Sequence, residues 1–153
     1  MRRKDKTIED KNSIKEILIN SNICRIAIFD DEFPYIVPLN YGYKDNALYF
    51  HCALKGKKLD LIKKNNKVGF EIEQNHELIK AEQSCDWTTK YRSIIGTGTI
   101  DIITDFDEKV KALDILMQHH GKQENTYKEK AVNKVVVLKL NIIDLSGKQS
   151  GEY

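Results

Sequence analysis

The sequence has little of what would tie a protein to a metal, a disulfide framework, a membrane or a nucleic acid. Its three cysteines, Cys24, Cys52 and Cys85, are odd in number and widely spaced, and no CxxC pair occurs. Neither a zinc site nor a disulfide scaffold is therefore indicated, and each cysteine is expected as a buried or half-buried free thiol. Of four histidines, only His119 and His120 are adjacent, and on a helix neighbours diverge too far to chelate one ion. No metal site is expected. Charge of one sign is also missing: 25 basic against 23 acidic residues leave +2, with the two signs interspersed. That balance provides no electrostatic footprint for nucleic acid or anionic lipid. No apolar run approaches membrane-spanning length, and no signal-peptide core follows the basic N-terminus. A cytoplasmic protein is expected. The chain also lacks a nucleophile with a paired base, a P-loop and a GxGxxG fingerprint.

What is present suits a single globular domain over residues 1–153, with 41% hydrophobic and 31% charged residues. There is no repeat, low-complexity segment or interior linker. Ser13-Ile14-Lys15-Glu16 has the form of a capping box, with Ile14, Ile17 and Leu18 on one helical face. A strand follows over Ile23 to Phe29, and Asp30-Asp31-Glu32 turns the chain into Tyr35. Val68, Phe70 and Ile72 alternate with polar or small residues as in a half-buried strand. Gln74 to Lys90 has no periodicity and reads as an irregular excursion carrying Cys85 and Trp87. Tyr91 to Ile103 is a long strand, with Gly96 and Gly98 marking bulges or close packing. Thr104 or Asp105 caps a helix with Val110, Leu113 and Met117 on one face and Gly121 near its end. A polar loop over Lys122 to Lys130 precedes a β-branched strand from Val132 to Ile143.

The stretch around which the rest is arranged runs from Tyr35 to Asp60, within PYIVPLNYGYKDNALYFHCALKGKKLD. Tyr35 to Tyr41 and Ala47 to Cys52 read as a hairpin turned at Lys44-Asp45-Asn46, with Pro38 marking an edge strand or a bulge. Gly56 then permits close backbone approach where Lys57 and Lys58 open a helix ending near Asn65-Asn66, with Leu59 and Ile62 on its inner side. Lysines are electrostatically disfavoured at a helix N-terminus by roughly 0.3–1 kcal/mol each, unless an anion such as phosphate binds there.

The run PYIVPLNYGY, DNALYFHCA and GKK, followed downstream by CDW and YRSIIGTG, resembles the pyridoxamine 5′-phosphate oxidase-related flavoproteins, and among them the nitroimidazole-resistance (Nim) branch. The similarity extends from Arg3-Lys4-Asp5 to Leu145-Ser146-Gly147-Lys148. It implies a mainly β fold, the FMN-binding split barrel, a six-stranded antiparallel Greek-key type with helical attachments. It also implies a homodimer holding FMN, rather than FAD or haem, at the subunit interface.

Carried over residue by residue, the resemblance makes Lys58 a phosphate contact, with Lys57 its basic neighbour. Cys52 takes the place of a small hydroxyl residue that bonds the phosphate, and a thiol is a weaker donor. Pro38, Leu39, Asn40 and Tyr41 lie along the isoalloxazine, mainly through backbone groups. Ser93 reaches the flavin from the second subunit. His51 faces the flavin or an adjoining substrate pocket, where a catalytic role is open, or is an ordinary strand histidine. Trp87 covers the pocket or packs the interface. The C-terminal arginine pattern by which pyridoxamine-phosphate oxidases hold their substrate is missing, so vitamin B6 oxidation is not expected. The leading expectation is an FMN oxidoreductase acting on small electron acceptors such as nitro compounds. The alternative is a flavin- or haem-binding module for storage or sensing.

Overall fold

The structure, a computed structural model, describes residues 4–151; Arg3, where the resemblance begins, lies outside them. Along these residues run β1 (Thr7–Ile8), α1 (Lys11–Asn20), β2 (Ile23–Ile28), β3 (Tyr35–Asn40), β4 (Gly42–Lys44), β5 (Ala47–Ala53) and α2 (Lys57–Lys64). They are followed by β6 (Lys67–Ile79), β7 (Thr88–Ile103), α3 (Phe106–His119), a helical turn α4 (Glu129–Val132) and β8 (Val135–Ser150). The strands form one antiparallel sheet in the order β3-β2-β6-β7-β8-β5-β4, with β1 added to β8. Among the described residues there are thus eight strands where six are expected, the short β1 and β4 being the additions.

The expected central hairpin is paired differently. β3 pairs with β2, joined through the turn at Asp30 to Glu32, and lies at one end of the sheet order. The return strand β5 pairs with the three-residue β4 and with β8. The turn itself is as read: Asp45 and Asn46 both adopt positive φ, 49° and 58°, which suits the twist of a two-residue hairpin. The chain changes partners at Tyr41 and Gly42 because both are buried. A Cβ on Gly42 would come within 2.6 Å of the Leu116 backbone of α3. Pro38 sits on an edge strand, where its missing N–H breaks no ladder on the open side.

β6 and β7 continue through most of the predicted irregular excursion, pairing from Glu77–Lys90 to Ile79–Thr88 beyond a bulge at Gln74 to Glu77. β8 begins at Val135 rather than Val132 and continues past Ile143 to Ser150. α1 is capped by Asp10, whose carboxylate accepts from the Asn12 and Ser13 amides, rather than by Ser13. Asp105 caps α3 as expected. The enclosed face of α3 is Lys109, Ala112 and Leu116, while Val110, Leu113 and Met117 are half-buried.

The core fills the inside of the curled sheet with Ile26, Phe50, Phe70, Ile94, Leu138 and Leu140, closed by Ile17 and Leu18 of α1 and Leu59 and Ile62 of α2. Each such side chain contributes roughly 1.5–3 kcal/mol through burial. Phe70 needs Gly96 opposite it: a Cβ there would run into the Phe70 ring and lie 2.7 Å from the Asp144 carbonyl oxygen. Arg92, buried under α1, donates to Glu16 Oε2 at 2.9 Å and to the Ser13 carbonyl at 3.2 Å, tying that helix to β7.

Side chains alternate strictly across the central strands, so the outer face can be read from the register. Asn40, Ile23, Glu73, Ser93 and Lys148 form one cross-strand row, and Pro38, Arg25, Glu71, Ile95 and Ser146 the next. A third row holds Ile36, Ala27, Gly69 and Thr97. Beside Thr97 a bulge leaves Ile143 without a ladder partner and 70% exposed.

Candidate functional site

α2 begins abruptly. Its N-cap is Gly56 at φ 143° and ψ 160°, a region essentially closed to residues with a Cβ. With no side chain at the cap, nothing of Gly56 itself covers the first amides of α2, and the Leu59 and Asp60 amides close back onto the Gly56 carbonyl. The amides of Lys57 and Lys58 have no acceptor within the helix and point outward with the positive end of its dipole.

A cavity of about 150 Å³ opens at this end, lined by Tyr35, Cys52, Lys55, Gly56, Lys57 and Lys58. Tyr35 comes from β3 and Cys52 from β5, which are separated in the hydrogen-bonded order by four strands. Both reach one cavity because the sheet has curled until β3, at one end of its order, faces β5, next to the other end. The site therefore lies on the seam of the barrel.

The two lysines differ in their surroundings. Lys57 Nζ lies 2.6 Å from Asp30 Oδ2 and 5.2 Å from the centre of the Tyr35 ring. The bond that Lys57 donates to the Asp30 carboxylate, and the negative charge there, raise the Lys57 pKa above its ordinary value. Lys58 is half-buried and, among the described residues, has no ion-pair partner. Its ammonium pulls against the main effect on Cys52, where burial pushes the thiol up from its ordinary value. Cys52 at neutral pH is thus a neutral thiol in a cationic cavity. A terminal phosphate fits this donor set: unengaged amides at a helix N-terminus, one free ammonium and one shared ammonium.

The other expected site residues are distributed unevenly. Pro38 and Asn40 lie on the outer face of edge strand β3, the same strand that brings Tyr35 to the cavity, while Leu39 points to the core side. Tyr41 is a correction. It is 0% exposed, its hydroxyl donates to the Leu18 carbonyl at 2.8 Å, and its ring packs on His119. Burial pushes its phenol far above the ordinary range, and no atom of it is open to a ligand. His51 projects from β5 on the opposite side to Cys52 and does not line the cavity.

Ser93 is not brought to the lysines within one chain. It shares an outer-face row with Asn40, three strand spacings or about 14 Å away. The level of His51, set by its pairing through Val137 to Ile103, is ten residues farther along β7 (103 − 93). Trp87 lies at the tip of the β6–β7 hairpin, its indole donating to the Ala81 carbonyl at 2.8 Å, away from the cavity. Cys24 is buried and Cys52 half-buried as expected, but Cys85, on the same hairpin tip, is exposed. The sequence reading missed Asp30, Tyr35 and Lys55 as site residues. Only Lys55 carried a local signal, as a third cation beside the lysine pair; the other two reach the site through sheet curvature.

Among the described residues no cluster of side chains is arranged to hold a metal ion, and no helix is long and apolar enough to cross a membrane. The family profile of pyridoxamine 5′-phosphate oxidase matches residues 10–149. A candidate 5-nitroimidazole antibiotic resistance protein from Bacteroides thetaiotaomicron VPI-5482 superposes with a TM-score of 0.83 at 34% identity, over 93% of this chain and 85% of that one. The FAD- and haem-binding protein of Mycobacterium smegmatis, at 20% identity, shares the fold with a TM-score of 0.85, over 97% of this chain and 75% of that one. An uncharacterized protein of Rhizobium meliloti (strain 1021) is 29% identical over 65 residues, and the match spans 42% of the length of each. The antiparallel barrel, the lysine turn at its seam and these similarities agree: the chain belongs to the pyridoxamine 5′-phosphate oxidase-like family of split-barrel proteins, in its nitroimidazole-resistance-like branch.

Proposed function

We propose that this protein binds FMN and uses it to reduce small electron acceptors such as nitro compounds. The observation that carries the reading is Lys58, a half-buried ammonium without an ion-pair partner among the described residues, beside unengaged amides at the start of α2. The phosphate binds there, and the ring system extends along the open edge of β3 past Pro38 and Asn40. Bound flavin supplies the electron-transfer chemistry, while the chain provides orientation, exclusion of water and electrostatics.

The site is completed by a second copy of the chain, whose Ser93 approaches the flavin from the other side. Two features support self-association through the outer sheet face. Ile36 is 60% exposed and Ile143 70%, and an apolar trough of about 540 Å³ runs over Ala27, Phe29, Pro34, Gly69, Thr97 and Ile143. Apolar surface of this kind marks an interaction site. The small residues Ala27 and Gly69 at its floor leave room for a partner's side chains.

A second reading, a flavin- or haem-binding module without turnover, is favoured by the M. smegmatis relative, which is described as binding FAD and haem. One experiment separates the two. Protein purified without added flavin is tested for bound cofactor, photoreduced, and mixed with a nitroimidazole or with oxygen. We expect FMN to be bound or readily taken up, and the nitro compound to reoxidise the flavin faster than oxygen does. Reoxidation by oxygen alone supports the storage or sensing reading. Colourless protein with no thermal shift in excess FMN overturns both flavin readings.

A further inference from the structure

Asp30 carries a feature that phosphate binding alone does not explain. It sits in the turn between β2 and β3, remote in sequence from α2, yet its carboxylate is 2.6 Å from the Lys57 ammonium at the first position of that helix. Lys57 and Tyr35, whose ring lies 5.2 Å below the same ammonium, both line the cavity with Lys58 and Cys52. A fixed negative charge is thereby held at the rim of a site built to receive an anion. Asp31 adds a second, weaker acidic influence on Lys57 from the same turn.

We propose that Asp30 sets the strength with which this site holds a phosphate, by competing with it for Lys57; the inference rests on the FMN reading above. A phosphate at the α2 N-terminus must either draw Lys57 away from Asp30 or accept a carboxylate one lysine away. Both arrangements weaken binding relative to a site with two free lysines. Lys58 is then the committed phosphate ligand and Lys57 the shared one. The consequence is an exchangeable flavin rather than a permanently held one, with the affinity penalty confined to ligands that carry the charged group. Riboflavin, with the same ring system and no phosphate, does not meet it.

The test is titration of FMN and of riboflavin against wild type, Asp30→Asn and Asp30→Glu. Removing the charge in Asp30→Asn should tighten FMN by about two- to fivefold and slow its release, with riboflavin unchanged. Asp30→Glu, which keeps the carboxylate, should stay near wild type. Riboflavin binding reports that each variant is folded. Weaker FMN binding in Asp30→Asn would make Asp30 a support that orients Lys57, and would overturn the proposal. An unchanged FMN affinity, or equal changes for both ligands, would overturn it as well. Wild-type protein that binds neither flavin fails the functional reading itself, a result distinct from FMN binding that ignores Asp30.

Discussion

At the scale of single residues, the site turns on which of two adjacent lysines is free. Sequence places Lys57 and Lys58 together; only the structure gives Lys57 to Asp30 and leaves Lys58 for a ligand. Lys58→Ala should therefore weaken FMN binding by about ten- to a hundredfold, the equivalent of roughly 1.5–3 kcal/mol for a charge-assisted contact. Riboflavin affinity should hardly change, and paired fluorescence titrations check the difference. Equal losses for both ligands would remove Lys58 from the phosphate site. Tyr41 shows why local reading fails at this scale: it follows the pocket strand in sequence but is sealed under α1. His51, open in sequence between a pocket residue and an ordinary strand histidine, projects from the side of its strand opposite Cys52.

At the scale of elements, the ends of α1 and α3 are held together through one imidazole. His119 Nε2 donates to the Ser21 carbonyl at 2.7 Å, and Nδ1 accepts from the Tyr43 amide at 3.4 Å. This arrangement needs the neutral ring. Burial lowers the His119 pKa below its ordinary value of 6.5, more than the bond to Ser21 raises it. The unfolded chain then binds this proton at a higher pH than the folded one. The stabilisation is complete above pH 6.5 and is lost as the pH falls through 6.5 towards the lower folded value. Since the ring is only half-buried, solvent screening keeps the effect small. Urea unfolding at pH 7.5 and pH 5.5 should show a larger acid loss for wild type than for His119→Gln. The same loss in both proteins would exclude His119 as its source.

At the scale of the whole molecule, the early lysine turn and the later Ser93 do not meet within one chain, as the strand register shows. If two copies share each site, the two lesions can be sorted between them. Lys58→Glu and Ser93→Trp homodimers should each bind FMN poorly. A mixed dimer collects both lesions in one site and leaves the other intact, so co-refolding should restore up to one FMN per heterodimer. Heterodimers that form without recovering binding would exclude the shared site, as would a monomer binding FMN at full strength.

The limits of the sequence are visible in particular elements. Val68, Phe70 and Ile72, the Asp45-Asn46 turn, the Asp105 cap and the Gly56 entry to α2 were all legible. Each depends on alternation, a positive φ or a cap, which a few neighbouring residues determine. The mainly antiparallel composition and the lysine pair followed from the same local physics, and the run of motifs along the chain carried the family. Pairing was decided otherwise. β3 joins β2 and not β5 because Tyr41 and Gly42 are drawn into the core against α1 and α3. The paired length of the β6–β7 hairpin depends on a partner strand that alternation within one strand does not reveal. The cavity itself belongs to tertiary structure alone. Tyr35, Asp30, Cys52 and Lys57 meet only because twisted strands curl the sheet until β3, at one end of its order, and β5, next to the other end, face across one seam.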